Sequence, residues 1–196
     1  MKKIVILALL LSISLVSNSQ NKQSKWTVGV SGSFVSFGED GLTSIGERFN
    51  IQLPKLNVSR YVYSGLIADA GITFGAISEV DGFFGNAFDY FSLDGNIRYD
   101  FNLSEENLVP YVAIGGSIIG APSTIPGSKA TPTVNFTFGT TFWITHHWGI
   151  NAQATYKYSS EEYESMRSHS QISAGLVYSL NPRVLVYRIW DGGRRR

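Results

Sequence analysis

The chain has no cysteine, which removes disulfide frameworks, thiolate metal sites and cysteine nucleophiles from consideration. It is also poor in charge. Asp, Glu, Lys and Arg make up 16% of it, below the roughly 25% of an average soluble domain. A formal net charge of +1 leaves no basic excess of the kind a nucleic-acid partner requires. Past the first segment, no stretch approaches the roughly 20 apolar residues of a membrane-spanning helix. If this chain enters a membrane, it does so as strands. Glycine and aromatic residues are plentiful instead, at 20 residues and 13%. The length of 196 residues suits a single domain.

The N-terminus has three parts. Met1-Lys2-Lys3 is basic, Ile4 to Val16 is apolar apart from Ser12 and Ser14, and Ser17-Asn18-Ser19 supplies small residues. This layout reads as a secretory signal peptide over 1–19, cleaved before Gln20. The alternative is a retained helical anchor, for which the apolar run is short. No cysteine follows the run, so lipoprotein anchoring is excluded. Without Lys2 and Lys3, 14 basic residues stand against 15 acidic ones, a balance of about −1.

Alternation dominates the rest, and successive side chains of a strand point to opposite faces. Trp148, Ile150, Ala152, Ala154, Tyr156 and Tyr158 share one face, opposed by Gly149, Asn151, Gln153, Thr155 and Lys157. Phe91, Leu93, Ile97, Tyr99 and Phe101 likewise oppose Ser92, Asp94, Asn96, Arg98 and Asp100. The same rule holds around Trp26, Leu66, Val134 and Ile172, is weaker around Leu56 and Val58, and is blurred by glycines between Leu108 and Gly120. Eight strands are expected, over 26–37, 50–62, 64–76, 88–101, 108–120, 132–145, 147–159 and 168–180. Connections at Tyr63, Asn102–Asn107 and His146 are short; those at Gly38–Phe49, Ile77–Ala87, Ala121–Thr131 and Ser160–Arg167 are longer. Short periplasmic turns and longer outer loops are the pattern of outer-membrane barrels. In lipid every backbone polar group needs a partner, so such a sheet must close. The expected fold is all-β: an eight-stranded antiparallel up-and-down transmembrane β-barrel over 20–180, followed by a short basic C-terminal tail, 181–196.

The polar face carries Asp69, Asp94, Arg98 and Lys157. Pairing across an outer loop brings residue 69 near residue 96 and makes Arg98 a diagonal neighbour of Asp69. A proton or ion path is one reading. A buried ion pair filling a narrow interior is the favoured one, since eight strands leave room only for side chains. Aromatic girdles are expected at both rims. Trp26, Tyr61, Tyr63, Tyr99, Phe101, Tyr111, Trp148 and Tyr178 form the periplasmic one, and Phe34, Phe37, Phe88, Tyr90, Tyr156 and Tyr158 the outer one. His146, His147 and His169 complete no metal set, and no nucleophile motif accompanies them. Neither catalysis nor a cofactor is therefore expected. Arg48, Glu161, Glu162 and Glu164 read as solvated loop charges.

The last strand, Ser173-Ala174-Gly175-Leu176-Val177-Tyr178-Ser179-Leu180, resembles the assembly signal of outer-membrane barrels. The resemblance implies recognition by the barrel-assembly machinery through Ser173, Gly175, Tyr178 and Leu180. More broadly, residues 26–180 resemble the OmpA-like transmembrane domain of the outer-membrane porin-like family. The similarity is carried by Tyr90 to Asp100, by Val109-Pro110-Tyr111-Val112-Ala113-Ile114-Gly115-Gly116, and by Gly139 to Thr145 running into Trp148 to Tyr158. Larger members continue into a peptidoglycan-binding domain, for which Asn181 to Arg196 is too short.

The implied function is a non-enzymatic outer-membrane barrel, exported and lipid-embedded, with a structural or loop-display role and a plugged interior. One alternative is a subunit of an envelope secretion or motility complex, contacting a periplasmic partner through the tail. An enzyme acting on lipid is a further class, disfavoured by the rim on which His146 and His147 fall. A soluble lipocalin-like barrel would turn the apolar face inward to line a ligand cavity.

Overall fold

The computed structural model describes residues 26–37, 49–75, 91–101, 107–120, 130–159, 168–183 and 185. The expected signal segment, the longer loops with Arg48, Glu161, Glu162 and Glu164, and the tail from Val186 onward lie outside them. So do Phe88 and Tyr90.

Eight antiparallel strands, each paired with its sequence neighbours, form a closed barrel in which β8 returns to β1. They are β1 (Trp26–Phe37), β2 (Phe49–Tyr63), β3 (Leu66–Phe74), β4 (Phe91–Asp100), β5 (Leu108–Gly120), β6 (Thr131–Trp143), β7 (Trp148–Ser159) and β8 (His169–Ser179). One end of the barrel holds the start of β1 and the end of β8; it is called the terminal end here, and the other the loop end.

The polarity is inverted relative to a water-soluble domain. Phe138 is 65% exposed, Ile97 62% and Ile172 58%, whereas Lys157, Gln52, Gln171 and Thr73 are 0% exposed. A water-soluble fold buries apolar side chains because their transfer out of water is favourable. Here the same alternation turns them outward, onto a surface suited to hydrocarbon. A lipocalin-like cavity would need these side chains inside, and they are not there.

Three local features refine the expected elements. The turn placed at Tyr63 lies at Ser64 and Gly65, with φ of 44° and 85°. Positive φ at both central residues is the geometry of tight hairpins, which glycine adopts freely. The Ser64 N–H is held by the Tyr61 hydroxyl at 2.9 Å. Secondly, the β1–β2 register shifts between Ser31 and Ser33, which face Lys55 and Gln52. Leu53 and Pro54 stand there against Gly32 alone, a bulge that accommodates a proline lacking an N–H. The bulge reverses the inside–outside parity, so that Gln52 and Lys55 are both buried. Thirdly, Ile144 to His147 form a turn rather than strand ends, closed by the N–H groups of Ile144 and Thr145 on the Trp148 carbonyl at 2.9 and 3.0 Å.

Candidate functional site: the polar interior and its terminal mouth

Asp69 stands opposite Asn96, the register that the sequence reading gives. The ionic partners fall differently. The Asp94 carboxylate lies 2.7 Å from Lys157 Nζ and 3.8 Å from Lys55 Nζ. The Asp94–Lys157 contact spans the barrel interior, because β4 and β7 are not neighbours. Ser92 completes the cluster, donating to Asp94 at 2.6 Å and accepting from Lys157 at 2.7 Å. Asp69 accepts from the Ser59 hydroxyl at 2.5 Å, its direct cross-strand neighbour. Arg98 pairs with Asp100 at 2.5 Å rather than with Asp69. The two residues lie two positions apart on one face of β4 and reach each other without crossing to β3.

Towards the terminal end, Tyr111 organises the interior. The sequence reading assigned it to an aromatic girdle. It is 1% exposed and points inward. Its hydroxyl donates to Gln153 at 2.9 Å and accepts from Asn151 at 3.0 Å. Arg98 sits over its ring, 3.8 Å from the centroid. Tyr111 faces Gly139 across the β5–β6 ladder, and a Cβ at Gly139 would collide with the phenol ring. Glycine is required there by close approach. Tyr61 also departs from the girdle and lines a terminal-end cavity with Arg98 and Asp100. Among the described residues, the interior holds small polar cavities of about 20 Å³ at this mouth and about 10 Å³ in the middle, room for one or two waters and for one at most.

The mouth is capped by a small apolar cluster of Val109, Trp143 and Val177, with Leu185 packed against it. The chain after β8 therefore folds back onto the barrel. The two turn histidines hold it. The Arg183 N–H donates to the His146 carbonyl at 2.8 Å, and His146 Nδ1 donates to the Arg183 carbonyl at 2.6 Å. His147 makes the same reciprocal pair with Ser179, at 2.7 and 2.8 Å. The Arg183 guanidinium lies 4.3 Å from the Trp143 ring centroid. Burial pushes its pKa down to about 10; Asp100 opposes the shift and Arg98 adds to it.

The other residues singled out from sequence are placed as follows. Trp26, Trp148, Tyr156 and Tyr158 point outward and are about half exposed. Tyr99 is half-buried, edge-on to Phe101 at 5.3 Å. Trp148 packs on Tyr178 at 4.8 Å, and His147 stacks on the same ring at 5.4 Å. Arg60 lies 5.1 Å from the Trp26 ring centroid. Ser173 shares a 2.8 Å hydrogen bond with Ser33 inside the barrel. Gly175 abuts the β1 backbone at Val30 and Ser31. Leu180 is exposed, and its N–H closes on the Trp26 carbonyl at 3.1 Å. His169 is buried at the loop end. Sequence reasoning singles out neither Lys55 nor Arg183, and it places Asp100 on the polar face of β4 without pairing it to Arg98. That pairing was discoverable from the place of Asp100 two residues after Arg98.

No protein-family model matches the sequence, and no curated protein matches it. Solved structures do. The chain is similar to the N-terminal β-barrel domain of Pseudomonas aeruginosa OprF, at 10% identity and a TM-score of 0.56, covering 80% of this chain and 97% of that one. It is also similar to Neisserial surface protein A, NspA, at 15% identity and a TM-score of 0.57, covering 79% and 96%. At these identities the likeness establishes the fold, an eight-stranded closed barrel.

Proposed function

We propose that the chain is an exported, non-enzymatic outer-membrane barrel with a filled interior, serving a structural or loop-display role. The observation that carries this reading is the inverted polarity: an apolar outer surface around an interior of polar and charged side chains. Only a hydrocarbon solvent makes that surface favourable, and only a closed sheet satisfies its backbone there. The terminal end would face the periplasm, as short turns do in such barrels. Lipid is then the partner around the belt, with Trp26, Tyr99 and Trp148 at one interface and Tyr156 and Tyr158 at the other. Ser173, Gly175, Tyr178 and Leu180 would be read by the assembly machinery before the barrel closes on β1. Both turn histidines have Nδ1 engaged on backbone carbonyls, which supports a structural role for them over a catalytic one.

The test is gel migration of the mature protein from the outer-membrane fraction. The unboiled sample should run as a compact, detergent-resistant species, and boiling should slow it. Recovery in the soluble periplasmic fraction without that shift would overturn the proposal. The second reading, a subunit of an envelope complex, draws on the docking of Arg183 and Leu185 at the terminal mouth. Loss of a co-purifying partner on truncation after Leu185 would support it.

A further inference from the structure

We propose that the terminal mouth binds one halide-sized anion between Arg183 and Arg98. Three observations converge on it. First, among the described residues, the interior cations Lys55, Arg98 and Lys157 match the interior anions Asp69, Asp94 and Asp100, and Arg183 is a fourth cation without a fourth carboxylate. A buried charge requires a counter-charge. Asp100, which lines the same cavity as Arg183, is already bonded to Arg98 Nε.

Secondly, the Arg183 side chain is 93% buried, being 7% exposed, and its Nε has no hydrogen-bond partner. The Trp143 ring, 4.3 Å from the guanidinium carbon, offers its N–H groups no in-line acceptor. The two backbone bonds to His146 fix Arg183 at the mouth, so the group is held there against its own desolvation.

Thirdly, there is space. Arg98 and Arg183 line one cavity of about 20 Å³, together with Asn57, Asp100, Thr141 and Trp143. That volume holds one or two water-sized species and is too small for phosphate or sulfate. A chloride ion bridging the two guanidinium groups would neutralise the mouth and give Arg183 an acceptor. The site does not depend on the membrane reading, because the cavity is enclosed by the barrel's own side chains.

Two measurements test this on the full chain in detergent. Crystals containing bromide should show an anomalous peak in this cavity, within hydrogen-bond reach of the Arg183 guanidinium. In solution, sodium chloride should stabilise the folded barrel over sodium gluconate at equal ionic strength. A ligand of the folded state at nine times its Kd raises the folding equilibrium constant about tenfold. R183M should abolish this preference, and R98K should keep part of it. Absence of a bromide peak in the wild-type protein overturns the proposal and requires no variant to fold. So does a peak without any chloride preference, which would mean an adventitious ion only, or an undiminished preference in R183M.

Discussion

Replacing Asp94 by Asn should destabilise the barrel more than replacing Lys157 by Met, although both changes delete the same 2.7 Å contact. The asymmetry comes from Lys55. The Asp94 carboxylate faces two ammonium groups, at 2.7 and 3.8 Å. Neutralising it leaves both lysines buried without that counter-charge, and breaking a buried pair in this way costs about 3–5 kcal/mol. Removing Lys157 leaves Asp94 with Lys55 and the Ser92 hydroxyl. The loss is then that of a hydrogen bond to a charged group, about 1.5–3 kcal/mol. The double variant should cost less than the sum of the two by about 0.5–3 kcal/mol, because each single change strands what the other removes. The assay is denaturant unfolding in lipid vesicles, followed by tryptophan fluorescence and by the unboiled gel band. A Lys157→Met loss equal to or larger than that of Asp94→Asn would refute the reasoning. So would strict additivity, which would mean that Asp94 and Lys157 are not energetically coupled.

Phe138→Arg, on the outer face of β6 and 65% exposed, should cost about 2–4 kcal/mol if that face meets lipid. A change within about 0.5 kcal/mol, normal for a water-exposed position, would place the residue in water. Gly139→Ala should cost about 1–3 kcal/mol through overpacking, since its Cβ would meet the Tyr111 ring and lie 2.9 Å from the Ala152 carbonyl. The double variant with Tyr111→Ala should relieve part of that cost, as judged by the same unfolding assay. His146→Ala should speed exchange of the Arg183 amide about fivefold, the equivalent of one hydrogen bond worth about 1 kcal/mol. Unchanged exchange would show that the segment after β8 is held by Trp143 and Leu185 packing instead.

The parts of this fold legible in the sequence are those where one rule acts alone. In β6, β7 and β8 the inward positions are polar or glycine except for Trp143 and Val177 at the terminal end, no bulge intervenes, and the strand boundaries fall within two residues of those expected. β2 was harder because two rules meet there. The Leu53–Pro54 bulge changes the parity, so the alternation before Pro54 and after it cannot be read as one pattern, and Lys55 stayed hidden as an interior charge. β5 lies at Leu108–Gly120 as expected, but the facing of its side chains was hidden for another reason. Both its faces are apolar, and Val109 and Ile119 point inward while Val112, Ile114 and Ile118 point outward. Nearness to a strand end alone puts Tyr111 in a girdle, whereas its partner contains the answer: Gly139 lies on the polar face of β6, and a tyrosine paired to it covers a glycine from inside. The tail posed a third kind of problem. Nothing in Asn181 to Leu185 alternates, and its position follows from His146 and His147, whose pairing with it is a tertiary event with no periodic trace. Periodicity thus reports which solvent a strand face meets, but not which interior groups meet across the barrel. The Asp94 carboxylate reaches Lys157 past two intervening strands, and Arg183 enters from beyond the last one. Those cross-barrel contacts are the ones on which the filled interior and the anion site depend.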